Sequence, residues 1–139
     1  MDTKTKPFLL KHKIDVKPYD IDLLGHVNNT VYIRWLEDTR VKILDEYLPY
    51  KNLMQKNISP ILLKTEIEYK RPVKIFDELF VEAYFTKIDG IRMEMYFEFI
   101  VDDKIVAVAK QLGTFFNIKR NRPCKPPKEF LDQFNKNLD

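Results

Sequence analysis

The tightest constraint on this chain is a strict two-residue alternation, in which Met93, Met95, Phe97 and Phe99 interleave with Arg92, Glu94, Tyr96 and Glu98. Successive side chains of a strand point to opposite faces, so the pattern describes a strand with one buried face and one wet face. A helix would scatter the same residues around its circumference. The alternation recurs upstream, with Leu63, Thr65, Ile67 and Tyr69 set against Lys64, Glu66, Glu68 and Lys70. Asp89-Gly90 separates expected strands at 79–88 and 91–101 and predicts a hairpin, because this dipeptide suits the left-handed backbone of a tight turn. Asp102-Asp103 predicts a second tight turn, followed by a strand over 104–118. One further strand is expected at 8–17.

Only one long segment has a helical period. Over 30–48, Tyr32, Leu36, Ile43 and Tyr47 fall on one side, and Val31, Trp35 and Leu44 widen the stripe. Asn28, Asn29 and Thr30 each carry a side-chain oxygen able to cap its start, and Pro49 marks its end. Pro123, Pro126 and Pro127 break regular structure before a short helix expected around 128–137. One strand, one long helix and four antiparallel strands predict an α+β fold whose sheet wraps around the helix. A length of 139 residues with no internal repeat or linker predicts a single domain over 1–139, with a basic, proline-rich tail from about 119.

Composition removes several classes of function. Hydrophobic residues at 45% and charged residues at 32% describe a soluble globular chain. No apolar run approaches the roughly 20 residues that span a bilayer, and no membrane partner is expected. The opening stretch to Asp15 has a three-residue apolar patch and carries Asp2, which argues against a secretory leader. Cys124 is the single cysteine, so no internal disulfide forms and a reducing, cytoplasmic location is expected. A net charge of +3 does not argue for nucleic acid. Residues 119–128 hold five basic side chains and no acid, which suits either phosphate contacts or a solvated tail. His12 and His26 are too few and too separated for a metal site, and three glycines make no phosphate-cradling loop.

The chemistry-bearing cluster is Asp20, Asp22, His26, Asn28 and Asn29, five residues within the ten positions leading into the long helix. A helix start presents unpaired backbone N–H groups and the positive end of the macrodipole. Such donors can hold the oxyanion formed when an acyl carbonyl is attacked. A nearby carboxylate can act as general base toward water or attack the carbonyl itself. The same residue types also build ordinary turns and caps, and on spacing alone both readings stand.

The run from Tyr19 to Tyr32, YDIDLLGHVNNTVY, resembles the signature of the 4-hydroxybenzoyl-CoA thioesterase-like family of hot-dog proteins. It is also similar to the DxDxxxHVNNxxYxxW stretch of acyl-ACP thioesterases, except that Leu24 stands where those enzymes carry Asn. Glu37 and Arg40 fit the E-x-x-R that often follows, and Glu68–Val73 with Asp77 fits a second segment, Y-x-x-P and then D. The resemblance covers residues from about 10 to 120. It implies a strongly curved antiparallel sheet around the long helix, a homodimer or homotetramer, and an acyl site at the subunit interface. It further implies hydrolysis of an acyl-CoA, or of an acyl carrier protein thioester, without a cofactor.

Carried onto this sequence, the resemblance makes Asp22 the catalytic base or nucleophile and His26 a group that orients water or substrate. Backbone N–H groups at Asn29 and Thr30 would bind the thioester oxygen, with Asn28 beside them. Arg120 and Arg122 are candidates for gripping the coenzyme A nucleotide, since a guanidinium can hold phosphate in two places. Other roles stand beside these. Asp20 is expected to shape the turn, His26 could be a satisfied core histidine, and Asn28 and Asn29 could simply cap the helix. Glu37 is a second candidate carboxylate or the partner of Arg40 on the helix. Trp35 and Tyr32 read as core or pocket wall. Cys124, between prolines and far from either histidine in sequence, is not expected to be a nucleophile. The competing function is a non-catalytic acyl-CoA-binding hot-dog module.

Overall fold

A computed structural model describes residues 5–137; the opening residues that include Asp2 lie outside them. Among the described residues the element order is β1 (Leu10–Ile14), a 3-10 turn (Pro18–Asp20), α1 (Asn29–Tyr47), α2 (Tyr50–Gln55), β2 (Ile58–Tyr69), β3 (Leu79–Asp89), β4 (Arg92–Val101), β5 (Lys104–Asn117), β6 (Arg122–Cys124) and α3 (Lys128–Asn137). The strands form one antiparallel sheet in the order β1-β3-β4-β5-β2, with β6 paired to the end of β5. This is the α+β, hot-dog arrangement: one curled sheet closed around α1.

The alternation places the core. Leu79, Val81, Ala83 and Phe85 of β3 and Met93, Met95, Phe97 and Phe99 of β4 are buried, and their neighbours along each strand are not. Against them α1 packs Val31, Tyr32, Trp35, Leu36 and Ile43, the stripe read from the sequence. Thr39 also lies fully buried on that face. Its hydroxyl donates to the Trp35 carbonyl at 2.8 Å and is hydrogen-bonded to Nε2 of His12 at 2.7 Å. The end of the core is sealed by Phe8, stacked on Phe130 of α3 with centroids 4.6 Å apart.

Three local readings change. Leu62 pairs with Gly113 and Lys64 with Leu112, so Leu63 is the extra residue of a bulge. The bulge moves the inward phase from Pro60 and Leu62 to Thr65, Ile67 and Tyr69, and Leu63 is 50% exposed rather than part of the buried face. Asp89 pairs with Arg92, so the first hairpin turns on Gly90-Ile91, one residue later than Asp89-Gly90. Gly90 takes φ +60° at the first central position, as a type II′ turn requires. The second turn falls at Asp102-Asp103, with φ of 51° and 61°. The basic tail is not a simple extended segment: it folds back through Asn121 at φ 55°, and Arg122–Cys124 pairs with Phe115–Asn117. Pro123 therefore sits within a short strand.

Candidate active site

The loop before α1 is built from the two aspartates inward. Asp20 is only 1% exposed, and both its oxygens are committed: Oδ1 accepts from Nη2 of Arg34 at 2.7 Å and Oδ2 from the Lys17 N–H at 3.0 Å. Its carbonyl accepts from the Asn28 N–H at 2.9 Å, tying the turn to the helix start. Asp20 is thus a structural anchor.

Asp22 is exposed, and one of its oxygens organises its own turn. Oδ1 accepts from the Leu24 N–H at 2.9 Å and the His26 N–H at 3.1 Å. The Asp22 N–H donates to the His26 carbonyl at 2.7 Å, and Gly25 completes the turn at φ +81°, which a side chain there would resist. Among the described residues Oδ2 takes no hydrogen bond. His26 is half-buried, bridged through its backbone to Lys74, and Val27 donates to the Val73 carbonyl at 2.8 Å. The loop is thereby strapped to the 73–77 segment, itself turned by Asp77 accepting from the Lys74 N–H at 2.8 Å.

Asn28 is the N-cap: its Oδ1 accepts from both the Thr30 N–H and the Thr30 hydroxyl at 3.0 Å. This changes one expectation. The Thr30 amide is already satisfied by its cap, whereas the Asn29 N–H is the first-turn donor that takes no partner among the described residues. Of the two amides only that of Asn29 is left free, and Thr30 holds the cap in place.

Asp22, His26 and Asn29 meet in one open cleft of about 230 Å³, walled by Val27, Tyr32, Tyr69, Lys70, Arg71 and Pro72. Tyr69 joins the end of β2 to the helix start, its hydroxyl donating to the Asn29 carbonyl at 3.1 Å while its ring meets Tyr32 edge-on at 5.0 Å. Burial pushes the Tyr32 phenol up to about 12, so it stays neutral and serves as wall. Asn28 and Thr30 stand beside the cleft rather than lining it. The Tyr69–Pro72 wall went unassigned in the sequence, although the EYKRPV motif carrying it is legible there.

Other candidates lie elsewhere. Glu37 sits eight residues past Asn29, about 12 Å along the helix, and pairs with Arg40 at 2.6 Å. Arg40 also donates to Gln111 at 3.2 Å, and Gln111 to Thr65 at 3.2 Å; Glu37 and Arg40 line a groove of about 520 Å³ between α1 and the start of β2. Arg120 and Arg122 follow β5, whose Asn117 pairs with Ile58. They are at one end of β2 and the Asp22 cleft is at the other, the two separated by the length of the strand, roughly 36 Å along its path at ~3.3 Å per residue. Cys124 is half-buried, and burial raises its thiol pKa, the opposite of activation. Among the described residues no group of three or more metal-ligating acids, histidines or cysteines assembles. Nor, among the described residues, is any helix long and apolar enough to cross a membrane.

Comparison with known proteins gives the family and the fold. A family model described as the thioesterase-like superfamily matches residues 16–134. A protein of Aquifex aeolicus, provisionally named an esterase, is 28% identical over 127 residues, 91% of this chain and 96% of that one. The long-chain acyl-CoA thioesterase FadM of Escherichia coli is 27% identical over 81 residues, 58% of this chain and 61% of its own. Among solved structures, a Staphylococcus aureus protein in complex with CoA superposes with a TM-score of 0.84 at 15% identity, covering 99% of this chain and 87% of that one.

Proposed function

Because the chain belongs to the thioesterase-like superfamily, we propose that it hydrolyses acyl-CoA thioesters at the Asp22 cleft. The observation that carries this reading is the meeting of an exposed carboxylate, a half-buried histidine and a helix-start amide in one cleft. Oδ1 of Asp22 is held by two backbone amides, which fixes the carboxylate while leaving Oδ2 for the substrate. The Asn29 N–H, at the positive end of α1, would take the developing charge on the thioester oxygen. Water, deprotonated by Asp22, adds to the carbonyl carbon; or Asp22 adds directly and water opens the resulting anhydride. In both routes the C–S bond breaks, the thiolate leaves and takes a proton, and a free acid is released. His26 borders the same space and orients the water.

The second element of the proposal is assembly. β2 pairs with β5 on one side, and Ile61, Leu62 and Leu63 along it are 38%, 40% and 50% exposed. An open apolar edge invites pairing, and a two-fold copy of the same chain would cover it, giving a homodimer or a pair of such dimers. Antiparallel pairing of two β2 strands brings the Ile58 end of one beside the Tyr69 end of the other. Arg120 and Arg122, too far from their own chain's cleft, would then lie beside the neighbouring one. CoA is the proposed carrier, in keeping with the E. coli relative, and the cytoplasm the proposed location. A thiol-release assay across aliphatic and aromatic acyl-CoA esters tests the reading: turnover of at least one supports it, and none across the panel overturns it.

A further inference from the structure

From the cleft wall we infer that Lys70 and Arg71 recognise the phosphates of the coenzyme in the same chain. The inference rests on the thioesterase reading and deepens it. Three observations carry it. Both residues line the cleft that holds Asp22, His26 and Asn29. Their backbone is pinned: the N–H groups of Lys70 and Arg71 both donate to the Val106 carbonyl, at 2.8 and 3.0 Å, and Pro72 restricts Arg71 to extended conformations. Finally, both are exposed, and among the described residues neither side chain makes an ion pair. Lys64 on the same strand is paired with Glu66 at 2.6 Å, and Lys110 on the neighbouring strand with Glu94 at 3.7 Å.

A lysine and an arginine on adjacent, pinned backbone positions match a pyrophosphate or phosphate monoester, the arginine by two parallel hydrogen bonds and the lysine as a point charge. The phosphates of an acyl-CoA sit at the far end of the pantetheine arm from the thioester. Their cations therefore belong on long, exposed side chains reaching out from the cleft, and Lys70 and Arg71 both line it and are both exposed. Beside them the Tyr69 hydroxyl bonds the Asn29 carbonyl, so a hydrogen bond ties the phosphate grip to the helix start that carries the proposed oxyanion donor.

The test compares an acyl-CoA with the same acyl group on N-acetylcysteamine, which has no phosphate. Replacing both residues (Lys70→Gln with Arg71→Gln) should lower the ratio of kcat/KM for the CoA ester to that for the short thioester about tenfold, the worth of one charge-assisted contact. The charge-keeping swap, Lys70→Arg with Arg71→Lys, should keep most of that ratio. An unchanged ratio in the double glutamine variant overturns the proposal, as does an equal loss on both substrates, which would mean the pair only supports the fold. Loss confined to the Arg120→Ala, Arg122→Ala variant would also overturn it, placing the phosphates at the neighbouring chain's hairpin. A wild-type protein that hydrolyses neither thioester would instead count against the thioesterase reading itself.

Discussion

The buried Asp20–Arg34 pair is the joint on which the loop hangs, and it should behave asymmetrically when cut. Asp20 is 1% exposed while the Arg34 side chain is 51% exposed, so the two partners lose different things. Asp20→Ala removes one charge-assisted hydrogen bond, about 1.5 kcal/mol at the lower end because Arg34 is half in water, and about 1 kcal/mol for the Lys17 amide left unpaired. The sum, about 2–3 kcal/mol, corresponds to a fall in Tm of roughly 6–12 °C for a chain of this size. Arg34→Ala leaves a carboxylate buried without its counter-charge, which costs about 3 kcal/mol or more. Making both changes should cost clearly less than the two added together, because the stranded charge is gone. Thermal and urea unfolding of the four proteins measures this cycle. Strict additivity, or an Arg34→Ala variant as stable as wild type, would refute the reasoning. Turnover in Asp20→Ala should also fall, since the turn it anchors presents Asp22.

The core and the sheet edge give further tests. Phe97→Ala, at a fully buried position of β4, should cost about 3–5 kcal/mol in urea unfolding. Leu63→Lys, on the exposed bulge of β2, should leave the monomer fold intact but shift light scattering from dimer to monomer, because it puts like charges across the proposed two-fold edge. Burial, then the nearby Lys42, hold the His12 imidazole below its ordinary value of 6.5. The unfolded chain therefore binds the proton more readily, so His12's contribution is present in full above about 6.5 and is lost as pH falls below it. His12→Gln should flatten that part of the stability–pH profile measured by urea unfolding.

What the sequence made legible was whatever is periodic and local. The β4 alternation, the α1 stripe and the Asp102-Asp103 turn fall where expected because each is dictated by near neighbours. The bulge at Leu63 escaped, since one inserted residue reverses the phase without leaving any compositional mark. The Asp89-Gly90 dipeptide gave the hairpin but not its register, because glycine serves either central position of a primed turn. At the site, the DxDxxGH motif placed Asp22, His26 and Asn29 together, but the commitment of the Thr30 amide to Asn28 depends on the cap's side-chain geometry. Lys70 and Arg71 reach the cleft only through the long-range pairing of β2 with β5. The distance of Arg120 and Arg122 from their own cleft likewise follows from sheet order, which no local pattern encodes.

In the proposed reaction Asp22 carries the chemistry, while Asp20 carries the structure of the turn. The most direct measurement is turnover and Tm of Asp22→Asn on the best acyl-CoA ester of the panel. The amide keeps an oxygen for the Leu24 and His26 N–H groups, so the turn should survive and Tm should move little. It cannot act as a base or nucleophile, so kcat should fall at least ~10²-fold. A variant that hydrolyses the ester at near wild-type rate would contradict the account and shift attention to Glu37.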